Sequence, residues 1–135
     1  MRYLIDTNVC VVYLNGRSPE VCNRLNSTPL SEILVCSVVK AELFYGAMRS
    51  NDPTRTLARQ QEFLASFISL PFDDEAALIC GCIRGQLASL GTPIGVCDLQ
   101  IASIALSNDL ILVTHNTQEF SRVEGLQIED WQMAQ

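Results

Sequence analysis

Three carboxylates stand where the chain pattern gives a carboxylate little reason to be. Asp6 directly follows Tyr3-Leu4-Ile5, a short apolar run that reads as a buried strand. Glu42 lies in a segment of helical spacing and shares a face with Val38, Ala41 and Tyr45, while Asp98 shares one with Ile94, Ile101 and Ala102. Both acids thus fall in, or beside, stripes that should face inward. A buried carboxylate is costly unless it is paired or bound to metal. A cap or a salt bridge would explain one such residue. The only lysine, Lys40, cannot neutralise three, although arginines could. A polar cluster, Thr114-His115-Asn116, follows a second buried run and adds hydroxyl and amide oxygens. Clustered carboxylates repel, and a hard divalent cation, Mg²⁺ or Mn²⁺, is the usual remedy for oxygen ligands. Such a site polarises a phosphoryl oxygen and makes a bound water more acidic, which suits phosphodiester hydrolysis.

The elements that must position these groups are legible in outline. Tyr3–Ile5, Ile33–Cys36 and Leu110–Val113 read as buried strands, and Leu126–Glu129 alternates as a half-exposed edge strand. Val9–Leu14 opens a first helix that Asn15-Gly16 stops, and Pro19–Leu25 gives a short second one. Ser37 is the expected N-cap of a helix running through Met48. Asp52-Pro53 starts a helix expected to reach about Ser69. Asp73 or Asp74 begins another to Leu90, with Ala76, Cys80, Ile83, Leu87 and Leu90 as its apolar stripe and Gly91 as its stop. Gly95–Leu106 forms the last long helix. Short apolar strands alternating with helices predict one α/β domain over residues 1–135, with a short, mainly parallel sheet covered on both faces. In such sheets polar ligands gather at the carboxyl ends of strands, where Asp6, Thr114 and Asn116 fall.

Composition narrows the class. Apolar residues make up 48% and charged residues 18%, which excludes a disordered chain. No apolar run approaches the ~20 residues a membrane helix needs, so a cytoplasmic protein is expected. The net charge is −6, a poor start for nucleic-acid binding. Eight of the nine basic residues are arginine, the better fork for phosphate, and bound metal would invert the local sign. The six cysteines contain no Cys-x-x-Cys pair, and the one histidine, His115, lacks a second ligand at zinc spacing. Reduced thiols are expected, Cys10, Cys36 and Cys80 being packed as small hydrophobes.

Four segments in order resemble one family. Leu4–Asn8, Val38–Leu43, Thr92–Ala102 and Leu112–Phe120, with the closing Leu126–Trp131, are similar to PIN-domain toxins of the VapC type. The resemblance spans essentially the whole chain. It implies a PIN-like three-layer α/β/α fold and a Mg²⁺-dependent endoribonuclease, the toxin of a toxin–antitoxin pair that blocks translation. Asp6, Glu42 and Asp98 match the family's acidic metal positions, and Thr114 matches a hydroxyl lining the site. Asn116 departs from the pattern, since many PIN domains carry a fourth acid there. Either Asn116, whose carbonyl oxygen can bind metal or hold a water although it cannot act as a base, or Glu119, one turn on, completes the site. The resemblance further implies a homodimer and a small antitoxin lying in a hydrophobic groove, with DNA bound only through that antitoxin. The chain also looks similar to the enteric-type group whose members cut initiator tRNA in the anticodon loop.

Other readings fare less well. A phosphatase of the haloacid-dehalogenase kind needs a second aspartate two residues after the first, where Asn8 stands, and a receiver domain needs a late lysine. A PIN domain that binds without cutting is the alternative left; Asp6, Glu42 and Asp98 argue against it, and Asn116 in place of a fourth acid argues for it. Thr7 and Asn8 are candidates for capping the first helix or for supporting the site. His115 has a surface role, and Cys97, a thiol among carboxylates, makes a poor thiolate.

Overall fold

Helices begin in this chain where a side chain can satisfy their free amides, and that rule sets most boundaries. In the computed structural model, which describes residues 1–133, Asp6, Ser18, Asp52 and Asp73 each accept a hydrogen bond from the amide three residues on. Pro19 and Pro53 occupy the first turns, where a missing N–H costs nothing. Gly16 closes the first helix at φ 70°, a left-handed conformation that glycine adopts without a Cβ clash.

The elements run β1 (Tyr3–Ile5), α1 (Thr7–Asn15), α2 (Pro19–Ser27), a 3₁₀ turn (Leu30–Glu32), β2 (Ile33–Cys36), α3 (Ser37–Met48) and α4 (Pro53–Leu64). They continue with β3 (Ile68–Leu70), α5 (Asp74–Ser89), α6 (Val96–Ser107), β4 (Ile111–Val113), α7 (Thr117–Phe120) and β5 (Ile128–Glu129). The strands form one sheet in the order β3-β2-β1-β4-β5, and every pairing is parallel. Parallel strands need helical crossovers, so the sheet is covered on both faces in three α/β/α layers. β1, β2 and β4 are buried at every residue, and α6 buries Ile101 through Ala105 without a break. No helix among the described residues is long and apolar enough to cross a membrane.

Three local expectations are corrected. The helix from Pro53 stops at Leu64 rather than near Ser69, and Ile68–Leu70 pairs with Leu34–Cys36 as a fifth strand. Its exposed Ile68 and Ser69 lack the buried signature of a parallel strand, and Phe67 and Ile68 continue a helical stripe by coincidence. The first helix is capped by Asp6, whose Oδ1 accepts from the Val9 amide at 2.9 Å, rather than by Thr7 or Asn8. Ser37 is the first residue of α3, with Cys36 at the cap position and no side-chain cap bond. All six cysteines are free thiols; Cys10 and Cys36 are buried, and Cys80 is partly so.

Candidate active site

The centre of the sheet places the first two groups. Ile5 of β1 pairs with Val113 of β4, so Asp6 and Thr114 are the next residues on neighbouring parallel strands. Asp6 is 7% exposed and Thr114 is fully buried. Burial pushes the Asp6 carboxyl above its ordinary value, and the Glu42 charge adds to that. The Thr114 hydroxyl and the Val9 and Asn8 amides work against it.

Glu42 reaches the same place from α3. The Thr7 hydroxyl donates to its Oε1 at 2.6 Å, joining the residue after Asp6 to the second acid. Asp98, half-buried in the first turn of α6, completes the set. Its carboxyl is raised to about 6, first by burial and then by the charges of Glu119, Glu42 and Asp6. Four acids from α3, α6, α7 and the end of β1 thus meet electrostatically.

Asn116 and Glu119 act as a pair. The Asn116 side-chain amide donates to Glu119 Oε2 at 2.8 Å, and the Gly95 amide donates to Oε1 at 3.1 Å. Glu119 therefore ties α7 to the start of α6, three residues before Asp98. These bonds and nearby Arg122 hold its carboxyl below the ordinary value. Thr114 Oγ1 accepts from the Asn116 amide at 3.0 Å, which folds the chain sharply after β4. His115 points away and pairs with Asp130 at 2.9 Å, consistent with a structural role. Burial and the charges of Glu42 and Asp98 raise the Cys97 thiol, so it is a poor thiolate.

No basic side chain neutralises this cluster. Among the described residues the ion pairs are Arg24–Glu129 and His115–Asp130, both outside it. Nor do three His, Cys, Asp or Glu side chains there already close around one point as a finished ligand shell. The side-chain donors of Asp6, Glu42 and Asp98, with the buried Thr114 hydroxyl beneath them, are all hard oxygens. That set fits a divalent cation of the magnesium kind and does not fit a thiophilic metal.

The stripe expected to carry Asp98 inward is buried at Ile94, Ile101 and Ala102, but the one expected to carry Glu42 inward is corrected: Ala41 is exposed, Tyr45 is 65% exposed, and Glu42 lies at the margin of the buried face. Sequence reasoning did not find the Thr7–Glu42 bond, whose only signal is that Thr7 leaves the strand beside Asp6.

The acids thus collect where parallel α/β sheets place their polar ligands, with Asp6 at the carboxyl end of central β1 and Glu42, Asp98 and Glu119 on the helices α3, α6 and α7. The PIN domain family model matches residues 3–126. The tRNA(fMet)-specific endonuclease VapC of Shigella flexneri is 40% identical over 97% of this chain and 98% of its own. Its namesake from Salmonella typhimurium is 37% identical with the same coverage. The crystal structure of DNA-bound VapBC from Salmonella typhimurium superposes with a TM-score of 0.91 at 37% identity, covering 97% of this chain and 98% of that one. The chain belongs to the PIN-domain family, among its VapC ribonucleases.

Proposed function

We propose that this protein is the toxin of a toxin–antitoxin pair and hydrolyses RNA with a divalent cation, Mg²⁺ or Mn²⁺, held by Asp6, Glu42 and Asp98. The observation that carries the reading is the acid cluster: Asp98 is raised to about 6 by burial and by three other carboxylates, while the ion pairs among the described residues, Arg24–Glu129 and His115–Asp130, include none of Asp6, Glu42 and Asp98. A fold keeps such mutual repulsion when a ligand relieves it.

The chain's own residues divide the work. Asp6 and Asp98 would hold the ion, Asp6 from a rigid strand end and Asp98 from a helix that Glu119 steadies. Glu42, oriented by Thr7, would bind the ion or align the attacking water. Thr114 supports the floor of the site, and Asn116 positions Glu119. When bound, the cation supplies charge stabilisation at the phosphoryl oxygens and a more acidic water.

Initiator tRNA is the proposed substrate, since two relatives are named tRNA(fMet)-specific endonucleases, and its anticodon loop is the proposed place of the cut. A small antitoxin is the proposed partner, because the similar solved structures are VapBC assemblies. An apolar groove lined by Val11, Leu14 and Leu43 offers it a seat, and the buried Gln60 Oε1 there lacks a hydrogen-bond donor. A homodimer is proposed as well, with DNA contacted only through the antitoxin.

The test is cleavage of labelled initiator tRNA and of total RNA, with Mg²⁺, with Mn²⁺ and with EDTA, alongside Asp6→Asn. Cleavage that needs the metal and disappears in the variant is expected. Intact RNA under every condition, from a folded protein, would leave only a binding module.

A further inference from the structure

Beside the acids, a cleft opens between α3 and α6 that hydrolysis by itself does not use. It has a volume of about 470 Å³, with Val38, Ala41, Glu42 and Tyr45 on one wall and Cys97 and Gln100 on the other. The two walls are the helices that carry Glu42 and Asp98, and Glu42 belongs to both the cleft and the acid site. Anything bound at the acids is therefore continuous with the cleft.

Tyr45 is the residue without an explanation in the fold. Its side chain is 65% exposed, one helical turn from Glu42, and adds little to the core. The Arg49 guanidinium lies 5.5 Å from the ring centroid and holds the ring in place. Arg49 also brings a positive charge to a chain of net charge −6. Val38 and Ala41 supply an apolar lining, and the half-buried Gln100 amide supplies one donor group and one acceptor. An aromatic face, an apolar lining, an amide and a nearby cation together are what a single-stranded base and its phosphate require.

We propose that this cleft receives an unpaired nucleobase of the RNA, adjacent to the phosphate that is cut, with Tyr45 stacked on the base and Gln100 hydrogen-bonded to its edge. The proposal rests on the ribonuclease reading and adds to it a reason for substrate choice. A base locked in a duplex cannot stack on a tyrosine, so the cleft selects loops and single strands.

Binding is read by fluorescence anisotropy with a short fluorescein-labelled single-stranded oligoribonucleotide, using protein that also carries Asp98→Asn so that nothing is cut. Matched strands carry one abasic nucleotide at successive positions. Tyr45→Ala is expected to weaken binding by roughly fivefold to a hundredfold, as loss of one stacked base does. Tyr45→Phe, which keeps the ring, recovers the affinity. On the strand lacking the stacked base, the Ala substitution has no further effect. With Asp98 intact, the loss falls on KM more than on kcat, and Gln100→Ala reduces discrimination among bases. Equal binding by Tyr45→Ala overturns the proposal, as does a loss that persists on every abasic strand. Dissociation of a dimer into monomers in Tyr45→Ala, seen by sedimentation, also overturns it by making the cleft a subunit seam. Failure of the native protein to cut RNA refutes the ribonuclease reading alone, because anisotropy measures the base contact without cleavage.

Discussion

Replacing Asp98 by asparagine should stabilise the metal-free protein while abolishing its activity. The Asp98 carboxyl is raised from 3.8 to about 6, so the fold disfavours its ionised form. A shift of that size corresponds to roughly 3 kcal/mol if nothing screens it. The group is half-exposed, and solvent screening brings the expected effect to about 1–2 kcal/mol. The penalty is absent below the unfolded value near 3.8, grows as pH rises toward 6, and is complete above it. Asparagine keeps the shape and removes the charge. In EDTA at pH 8 the variant should melt roughly 3–8 °C above the native protein, and the gap should close toward pH 4. A divalent ion reverses the order. It stabilises the native protein by about 2.7 kcal/mol at a hundred times its Kd and the variant far less. Thermal melts followed by circular dichroism, at both pH values and with and without Mg²⁺, measure all of this. An Asp98→Asn protein that melts at or below the native temperature in EDTA at pH 8 would refute the claim that the acids repel one another unrelieved.

Three further outcomes follow from individual bonds. Thr7→Val removes the 2.6 Å hydrogen bond to Glu42 and should cost about 1 kcal/mol of stability, with a drop of about tenfold or more in kcat. Thr7→Ser should restore both, and a Val variant of normal kcat would show that Glu42 needs no such support. Glu119→Gln removes the largest neighbouring charge acting on Asp98, so the Asp98 carboxyl of the metal-free protein should titrate lower by carbon-detected NMR. An unchanged titration would place Glu119 too far away to matter. Arg24→Ala breaks the 3.1 Å pair with Glu129 and removes the guanidinium stacked 4.9 Å over Trp131. It should lower stability by roughly 1 kcal/mol in chemical denaturation with cleavage unaffected, because this clamp holds β5 and the closing segment away from the acids.

The sequence by itself determined the α/β class, the buried strands β1, β2 and β4, and the caps at Asp52 and Asp73. Those features depend on local rules: apolar runs, short polar side chains before helices, and glycine or proline at the breaks. It also marked Asp6, Glu42 and Asp98, since a charge in an apolar stripe conflicts with its surroundings whatever the partners are. Tertiary structure alone decided the rest. β3 is an exposed strand specified by pairing with β2, and its own residues extend the helical pattern before it. The strand order puts β1 between β2 and β4, which brings Asp6 beside Thr114 across 108 residues of chain (114 − 6). Glu119 is bound to Gly95 and Glu42 to Thr7 through contacts that no spacing announces. Local pattern reports the cost of placing each residue, whereas the relief of that cost comes from groups distant in sequence and is visible only once the sheet has assembled.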